Sequence, residues 1–283
     1  MAELLKGAPV TKALNEKMAA KVVELQGKGI TPTLAILRVG EREDDLSYER
    51  GATKRCETVG VAVKSVVLPI DVSQEALISA INELNDDNSI HGVLMFRPLP
   101  KNLDEEAACR ALNPAKDVDG ITAGSLAGVF TGSGEGYPPC TAQAAMEILE
   151  YYGYNLTGKR AVVVGRSLVV GKPAAIMLMG KNATVTTCHT RTVDMPSVTR
   201  EAEILIVAAG KAGAVTKEYL APGQIVIDVG INVNDEGKLV GDVLFEDADP
   251  TVAAITPVPG GVGTVTTSVL VSHVVMAAEK SLG

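Results

Sequence analysis

A β-branched run, Arg160–Val164 (RAVVV), leads into Gly165-Arg166-Ser167 and, after three apolar residues, into Gly171-Lys172-Pro173. A glycine at a strand end lets the backbone turn tightly. The helix that follows offers unpaired N–H groups and the positive end of its dipole to a pyrophosphate. Pro173 suits the first helical turn, where no backbone donor is required. Ser167 stands where the usual G-x-G-x-x-G turn carries its second glycine, so the spacing alone serves a cofactor turn and a plain structural turn equally. The next strand-like run ends at Cys188-His189-Thr190-Arg191-Thr192, where the adenosine ribose of a dinucleotide would lie. No carboxylate stands there to take a free 2′-hydroxyl, whereas Arg191 suits a 2′-phosphate and Arg166 supplies a second cation. The pattern favours NADP over NAD. The alternative is that Arg191 is an ordinary solvated charge at a strand end; His189 reads as structural rather than catalytic.

Other chemistries find little purchase. Three histidines (His91, His189, His273) and four cysteines (Cys56, Cys109, Cys140, Cys188) show no spacing that suits zinc, and no CxxC pair occurs. The cysteines read as reduced thiols. The acidic run Glu41–Asp45 lacks the alternate-residue pattern of a calcium loop and reads as a solvated loop. No metal is expected. A net charge of −8 argues against nucleic acid or an anionic membrane as partner, since both require basic fields. The N-terminal run lacks the features of a secretory signal. The longest apolar stretches, such as Ile225–Val229, are of strand length and well short of the ~20 residues of a membrane span. These points together suggest a cytoplasmic protein.

The elements that must position these residues alternate. Thr33–Arg38, Ala62–Leu68 and Gly92–Phe96 have strand character, with helical spacing at Ser47–Val59 and at Gln74–Asn85, the second opened by Asp71 or Ser73 as cap. In the second half, Arg160–Val164, Thr184–Thr187, Ile204–Ala208, Ile225–Val229 and Ala254–Thr256 read as five strands. With aromatics at 3% and no Trp, the core must be Val, Ile, Leu and Ala, which suits buried parallel strands under helices. The expected fold is α/β: two α/β domains, the second a Rossmann-type doubly wound parallel sheet, with a C-terminal helix (Thr266–Lys280) packing back on the first. The predicted division is a first domain of residues 1–140, completed by the helix within 266–283, and a second of residues 141–265. The Gly/Pro-rich Thr131–Cys140 (TGSGEGYPPC) reads as the hinge between them.

Pro257-Val258-Pro259-Gly260-Gly261-Val262-Gly263, Lys116-Asp117-Val118-Asp119-Gly120 and the Gly165-Arg166-Ser167 turn together resemble the methylenetetrahydrofolate dehydrogenase/cyclohydrolase family. Val226-Ile227-Asp228-Val229-Gly230-Ile231-Asn232 and Gly241-Asp242-Val243 match it as well, so the likeness runs almost end to end. The resemblance implies oxidation of 5,10-methylenetetrahydrofolate to the methenyl form with hydride passed to NADP (NAD in some members). In most members hydrolysis to 10-formyltetrahydrofolate follows. It further implies a homodimer that feeds purine and formyl-methionyl synthesis. Tyr48 and Asp119 become the catalytic and folate-binding side chains, with Pro257, Gly260 and Gly261 also against the substrate. Gly165, Arg166, Ser167, Gly171, Thr190, Arg191 and Ile231 become the cofactor side. Stiff Pro/Gly loops bring backbone close to flat rings. Asp119 can accept from an amino-pyrimidine edge, or it can cap its own turn.

The chain departs from that family where hydrolysis is concerned. The family pairs its Tyr with a Lys four residues on, on one helix face; here Tyr48 is followed by Ala52. Lys54 lies about 200° round the helix from Ala52 and reads as a solvated lysine. Arg55 shares the Tyr48 face, but a guanidinium cannot act as a base. The family's glutamine before the P-L-P turn, which contacts that lysine, is Phe96, a physically sensible coupled change, since a glutamine without its mate would be a buried unpaired amide. Arg97 is placed to meet the folate's glutamate tail. Asp45, Ala142 and Thr264-Val265 are smaller departures. Hydride transfer needs two rings held face to face, whereas hydrolysis of the methenyl cation needs a positioned base. The expectation is a dehydrogenase with weak or absent cyclohydrolase activity. The alternatives are a fully bifunctional enzyme in which Asp45 or Lys54 substitutes for the lysine, a dehydrogenase of small hydroxy or amino acids, and a cofactor-binding regulatory protein. The second calls for a His–carboxylate or Lys–Asp pair in the first domain, and none is found; within residues 1–140 His91 is the lone histidine. The last has no use for Tyr48, Asp119 and the PVPGGVG loop.

Overall fold

The computed structural model describes residues 1–282. Its strands are β1 (Glu3–Leu4), β2 (Thr33–Val39), β3 (Ala62–Leu68), β4 (Gly92–Met95), β5 (Arg160–Val164), β6 (Thr184–Cys188), β7 (Ile204–Val207), β8 (Ile225–Asp228), β9 (Asn232–Val233), β10 (Leu239–Val240) and β11 (Ala254–Ile255). Its helices are α1 (Gly7–Gly27), α2 (Glu43–Val59), α3 (Gln74–Asp86), α4 (Glu105–Ala111), α5 (Ala123–Thr131), α6 (Cys140–Tyr151), α7 (Gly171–Gly180), α8 (Met195–Arg200), α9 (Phe245–Ala248) and α10 (Val262–Lys280). Two compact α/β units result: Ala13–Cys140 with the chain from Thr267 on, and Met1–Lys12 with Thr141–Thr266.

The first unit is built on a parallel sheet of order β3-β2-β4. Every residue of β4 is buried, as are Leu34 to Leu37 of β2, so both faces of these strands are covered. Ala35, Leu37, Val93 and Met95 pack with Leu77, Ile81 and Leu84 of α3 and Ala108 of α4 in one core. Helix α3 is opened by Ser73, whose hydroxyl accepts from the Ala76 N–H at 3.2 Å. Helix α2 begins at Glu43, four residues before the sequence pattern suggests. Its first turn is Glu43-Asp44-Asp45, so of the acidic run Glu41–Asp45 expected as a loop the last three residues are helical, with their charge against the positive end of the dipole. Gly60 ends α2 in the left-handed conformation at φ 84°.

The second unit carries a six-stranded sheet of order β1-β11-β8-β7-β5-β6, parallel at every pairing. Strand order reverses at β5, with β6 on one side and β7 on the other, the Rossmann-type switch point at whose carboxyl end ligands gather. Ala161–Val164, Ile204–Val207 and Val226–Ile227 are buried throughout, the continuous apolar signature of parallel strands covered on both faces. Residues 1–12 belong to this unit and not, as predicted, to the first. Glu3 and Leu4 pair with Ala254 and Ile255 and so extend the sheet at its edge. The antiparallel β9–β10 pair lies outside the predicted elements, its turn held by Asn234, whose side-chain oxygen accepts from Glu236 and Lys238 N–H.

Two further expectations are corrected. Thr131–Cys140 is an integral part of the first unit and not a loose connection: Tyr137 is buried, its N–H donates to Ser125 Oγ at 3.4 Å, and a Cβ at Gly128 would collide with the Glu135 carbonyl. The C-terminal helix, which begins at Val262 rather than Thr266, is long and apolar enough by composition to cross a membrane, although no such stretch was expected. Of its most apolar window 61% is buried, the pattern of a core helix. From Thr267 onward it belongs to the first unit, where Val269, Leu270, Val271 and Val274 are almost wholly enclosed.

Candidate functional site

In the first unit the chemistry gathers where β2 and β4 end. Tyr48, on the second turn of α2, meets Phe96 edge to face with ring centroids 5.7 Å apart. Ala52, four residues on, is fully enclosed, and Lys54 is exposed. Burial pushes the Tyr48 hydroxyl above the ordinary phenol range, with Asp119 and Cys140 adding to the effect and a hydrogen bond with Thr267 opposing it. Helix α2 is pinned behind this site by Arg38, whose Nε donates to Glu49 at 2.8 Å, and by Ser65, which donates to the other Glu49 oxygen at 2.6 Å.

The two carboxylates of the K-D-V-D-G turn have separate tasks. Asp117 is fully buried and accepts from Ile121 N–H (3.0 Å), Thr122 N–H (2.7 Å) and Ser125 Oγ (2.7 Å), so it, not Asp119, is the turn-forming aspartate. Asp119 is thereby left to the site. Burial, reinforced by Asp117, raises its carboxyl to about 6, against the pull of Arg97 and a hydrogen bond from the Cys140 thiol. Gly120, at φ 72°, lies against Pro138 and Pro139 so closely that no side chain would fit. Behind Asp119, the Val118 carbonyl accepts from His273 Nδ1 at 2.8 Å and from Cys140 Sγ at 3.2 Å, and His273 stacks against Tyr137 at 5.1 Å. Burial lowers His273 to about 4, so the ring is neutral at physiological pH. This supporting network escapes sequence reading, because Cys140 and His273 are 133 residues apart.

In the second unit a cavity of about 360 Å³ opens at the switch point, walled by Gly165, Arg166 and Ser167 after β5, His189 and Thr190 after β6, and Ala208, Ala209 and Lys211 after β7. Gly165, at φ 130°, passes so close to the Ala208 carbonyl that a Cβ would collide with it. Gly171 is not in the wall; it lets α7 pack directly on the Gly165 carbonyl. The first N–H groups of α7, expected to be open, are partly taken. Ser167 Oγ accepts from Val170 N–H at 3.1 Å and from Gly171 N–H at 3.4 Å. That arrangement leaves the Ser167 O–H to act as a donor, in the same cavity wall as Arg166. Arg191 is exposed and outside the cavity wall; its N–H donates to His189 Nδ1 at 3.2 Å. Lys211, which sequence reading missed, is in the wall. Its position after Ala208-Ala209-Gly210 at the carboxyl end of β7 is the signal that could have found it.

A smaller cavity of about 240 Å³ brings Gly230 and Ile231 together with Pro257, Gly260 and Gly261. The loops around it are tied by two buried carboxylates. Asp228 accepts from Gly230, Asp242 and Val243 N–H at 2.9, 3.0 and 2.9 Å. Asp242 accepts from Gly210 and Lys211 N–H and from the Asn232 amide at 2.8, 3.0 and 2.9 Å. Burial raises Asp228 to about 6 despite those donors. The cavities can accept a dinucleotide: backbone approach at glycine, a hydroxyl donor and two cations (Arg166, Lys211) suit phosphates.

Residues 5–119 match the catalytic-domain model of tetrahydrofolate dehydrogenase/cyclohydrolase, and residues 139–282 match that family's NAD(P)-binding domain. The bifunctional protein FolD of Carboxydothermus hydrogenoformans is 53% identical over 281 residues, 99% of this chain and 98% of that protein. The bifunctional FolD methylenetetrahydrofolate dehydrogenase/cyclohydrolase of Campylobacter jejuni superposes with a TM-score of 0.95 at 37% identity, covering 99% of both chains. The Trypanosoma brucei dehydrogenase-cyclohydrolase, solved with NADP and an inhibitor, has a TM-score of 0.91 at 36% identity, over 99% of this chain and 98% of that one.

Proposed function

The chain belongs to the tetrahydrofolate dehydrogenase/cyclohydrolase family, and from that premise we propose that it oxidises 5,10-methylenetetrahydrofolate to the methenyl form with NADP, hydrolysing the product weakly or not at all. The observation that carries the second half is the Tyr48 face: an enclosed Ala52 one turn on, and the apolar Phe96 ring set edge to face with the phenol. Neither Ala52 nor Phe96 offers an amine to take a proton.

Bound NADP supplies the hydride acceptor. Ser167, Arg166 and Lys211 are the groups suited to its phosphates, and Gly165 allows the backbone approach. Thr190, Arg191 and Ile231 complete the cofactor side. On the folate side, Asp119 accepts from the amino-pyrimidine edge, Tyr48 lays its ring against the substrate, and Pro257, Gly260 and Gly261 stiffen the loop beside it. The lone pair of the bridging nitrogen drives the hydride from the methylene carbon, so this step requires orientation rather than a base. Hydrolysis requires a water to lose a proton as its oxygen bonds to the methenyl carbon, and a protein group must receive that proton. Assembly as a homodimer, a cytoplasmic location and supply of one-carbon units to purine synthesis belong to the same reading and rest on the resemblance.

One observation favours a second reading. Asp119, raised to about 6, is largely a carboxylate at neutral pH and close enough to Tyr48 to perturb it. If it accepts the water's proton, the enzyme stays bifunctional. Two spectrophotometric assays on one preparation decide between them: NADP reduction with methylenetetrahydrofolate, and loss of methenyltetrahydrofolate absorbance without cofactor. Activity in the first and background in the second is the expected result. Rapid hydrolysis in the second supports the Asp119 reading.

A further inference from the structure

A cavity of about 390 Å³ lies wholly within the first unit, at the amino end of β4, opposite the end that carries Phe96. Neither Tyr48 nor Asp119 is in its wall, which includes Asn88, His91, Asn113, Lys116, Glu135 and Lys280. Its size falls within the range of roughly 300–1,000 Å³ for small-molecule sites.

The wall is a set of pre-oriented donors. His91 is only 8% exposed, and its Nδ1 accepts from the Thr33 N–H at 3.2 Å. That bond fixes the tautomer: Nε2 carries the hydrogen, and it has no hydrogen-bond partner among the described residues. Lys116 Nζ donates to the Leu84 and Asp87 carbonyls at 2.8 and 2.7 Å, which leaves its third N–H over. Lys280 Nζ sits 4.8 Å above the Tyr137 ring and donates to the Gly134 carbonyl at 3.1 Å. These contacts orient both ammonium groups, with Asp86 and Asp87 acting on Lys116 from outside the wall. Two ammonium groups on one wall, against the single carboxylate of Glu135, give it a positive balance in a chain of net charge −8 and mark a place for an anion.

We propose that this cavity binds the phosphate monoester of a small hydroxylated molecule, with His91 Nε2–H, Lys116 and Lys280 on the phosphoryl oxygens and Glu135 and Asn113 on the hydroxyls. Two point-charge ammonium groups and a neutral N–H suit a multi-oxygen dianion. Glu135, a carboxylate on the same wall, repels a wholly anionic ligand and accepts from hydroxyls. Occupancy reaches the folate side through the wall itself. Tyr137 stacks on His273, and His273 holds the Val118 carbonyl next to Asp119. This coupling, which rests on the role given to Asp119 above, makes the cavity an effector site.

The test is calorimetric titration of the full chain with ribose 5-phosphate, first without and then with saturating NADP, alongside ribose and inorganic phosphate. Saturable heat with ribose 5-phosphate is expected, at least tenfold weaker binding in Lys280→Ala, and no change in Lys181→Ala, an exposed lysine of the second unit. Thermal unfolding confirms that each variant is folded. Absence of saturable heat, equal binding by Lys280→Ala, or heat abolished by NADP would overturn the site, the last by placing the phosphate in the dinucleotide cavity. Binding of inorganic phosphate as tight as the ester would overturn the hydroxylated class. The same ligand should change the KM for methylenetetrahydrofolate at least twofold with kcat constant, in the wild type and not in Lys280→Ala. Binding without that change would overturn the coupling while leaving the dehydrogenase assay, and so the proposed function, untouched.

Discussion

The dinucleotide cavity of the second unit and the Tyr48–Asp119 cluster of the first do their work with different parts of the chain. Around Gly165 the wall is largely backbone: a left-handed glycine against the Ala208 carbonyl, a serine capping α7, and loops tied by Asp228 and Asp242. Around Asp119 the wall is side chain: a carboxyl at about 6, a buried thiol, a neutral histidine and a phenol. A backbone site tolerates many side-chain changes and fails when shape is lost. A side-chain site keeps its shape and fails when a proton or a donor is misplaced. This difference explains how Ala52 and Phe96 can stand in the first unit while its fold and the second unit's cavity stay regular.

The contrast can be broken most severely at Gly165. Gly165→Ala would force a Cβ into the Ala208 carbonyl at a φ that costs about 1–3 kcal/mol for a side chain. NADP affinity should fall by tenfold to a hundredfold while folate affinity, measured by calorimetry, holds. Asp119→Ala should do the converse: loss of a charged acceptor, worth about 1.5–3 kcal/mol, raises the KM for methylenetetrahydrofolate by tenfold or more and leaves NADP binding intact. Equal damage to both ligands in either variant would dissolve the distinction.

A change of pH sharpens it further. Because the Asp119 carboxyl titrates near 6, the acceptor is lost as pH falls through that value, and the KM for folate should rise by about tenfold per unit below it. The NADP KM should stay flat over the same range. The stability term has the opposite sign. The folded value lies above the ordinary 3.8, so the folded state holds this proton more tightly than the unfolded one, and the stability it contributes below pH 3.8 is lost between there and about 6. The smallest effect is expected among the cofactor-side cations. Lys211→Ala should weaken NADP severalfold and Arg191→Ala by less, since Lys211 is in the cavity wall and Arg191 is exposed outside it.

What could be read in the sequence follows the same division. The strands β5, β7 and β8 announce themselves as continuous apolar runs, because both faces are buried, and Gly165 announces the turn. Two-residue strands such as β1 and β9 carry no periodicity at all; only their partners, 251 positions away for Glu3, define them. Helix α2 is misjudged at its start because Glu43-Asp44-Asp45 looks solvated, when its charge answers the helix dipole. Asp117 and Asp119 are indistinguishable in a K-D-V-D-G string, and only the fold assigns the turn to one and the site to the other. Ser167 illustrates a subtler limit: its departure from glycine is visible, but its role as the cap of α7 requires the geometry.

The central claim is that loss of an amine beside Tyr48 separates two reactions that share one substrate slot. The most direct measurement is the rate of methenyltetrahydrofolate hydrolysis in the wild type and in the Ala52→Lys/Phe96→Gln variant, each with its dehydrogenase rate as the reference for a working slot. The account predicts hydrolysis at background in the wild type and at least a hundredfold gain in the variant, with dehydrogenase activity in both. Brisk hydrolysis by the wild type, abolished by Asp119→Asn and not improved in the Ala52→Lys/Phe96→Gln variant, would contradict it and assign the base to Asp119.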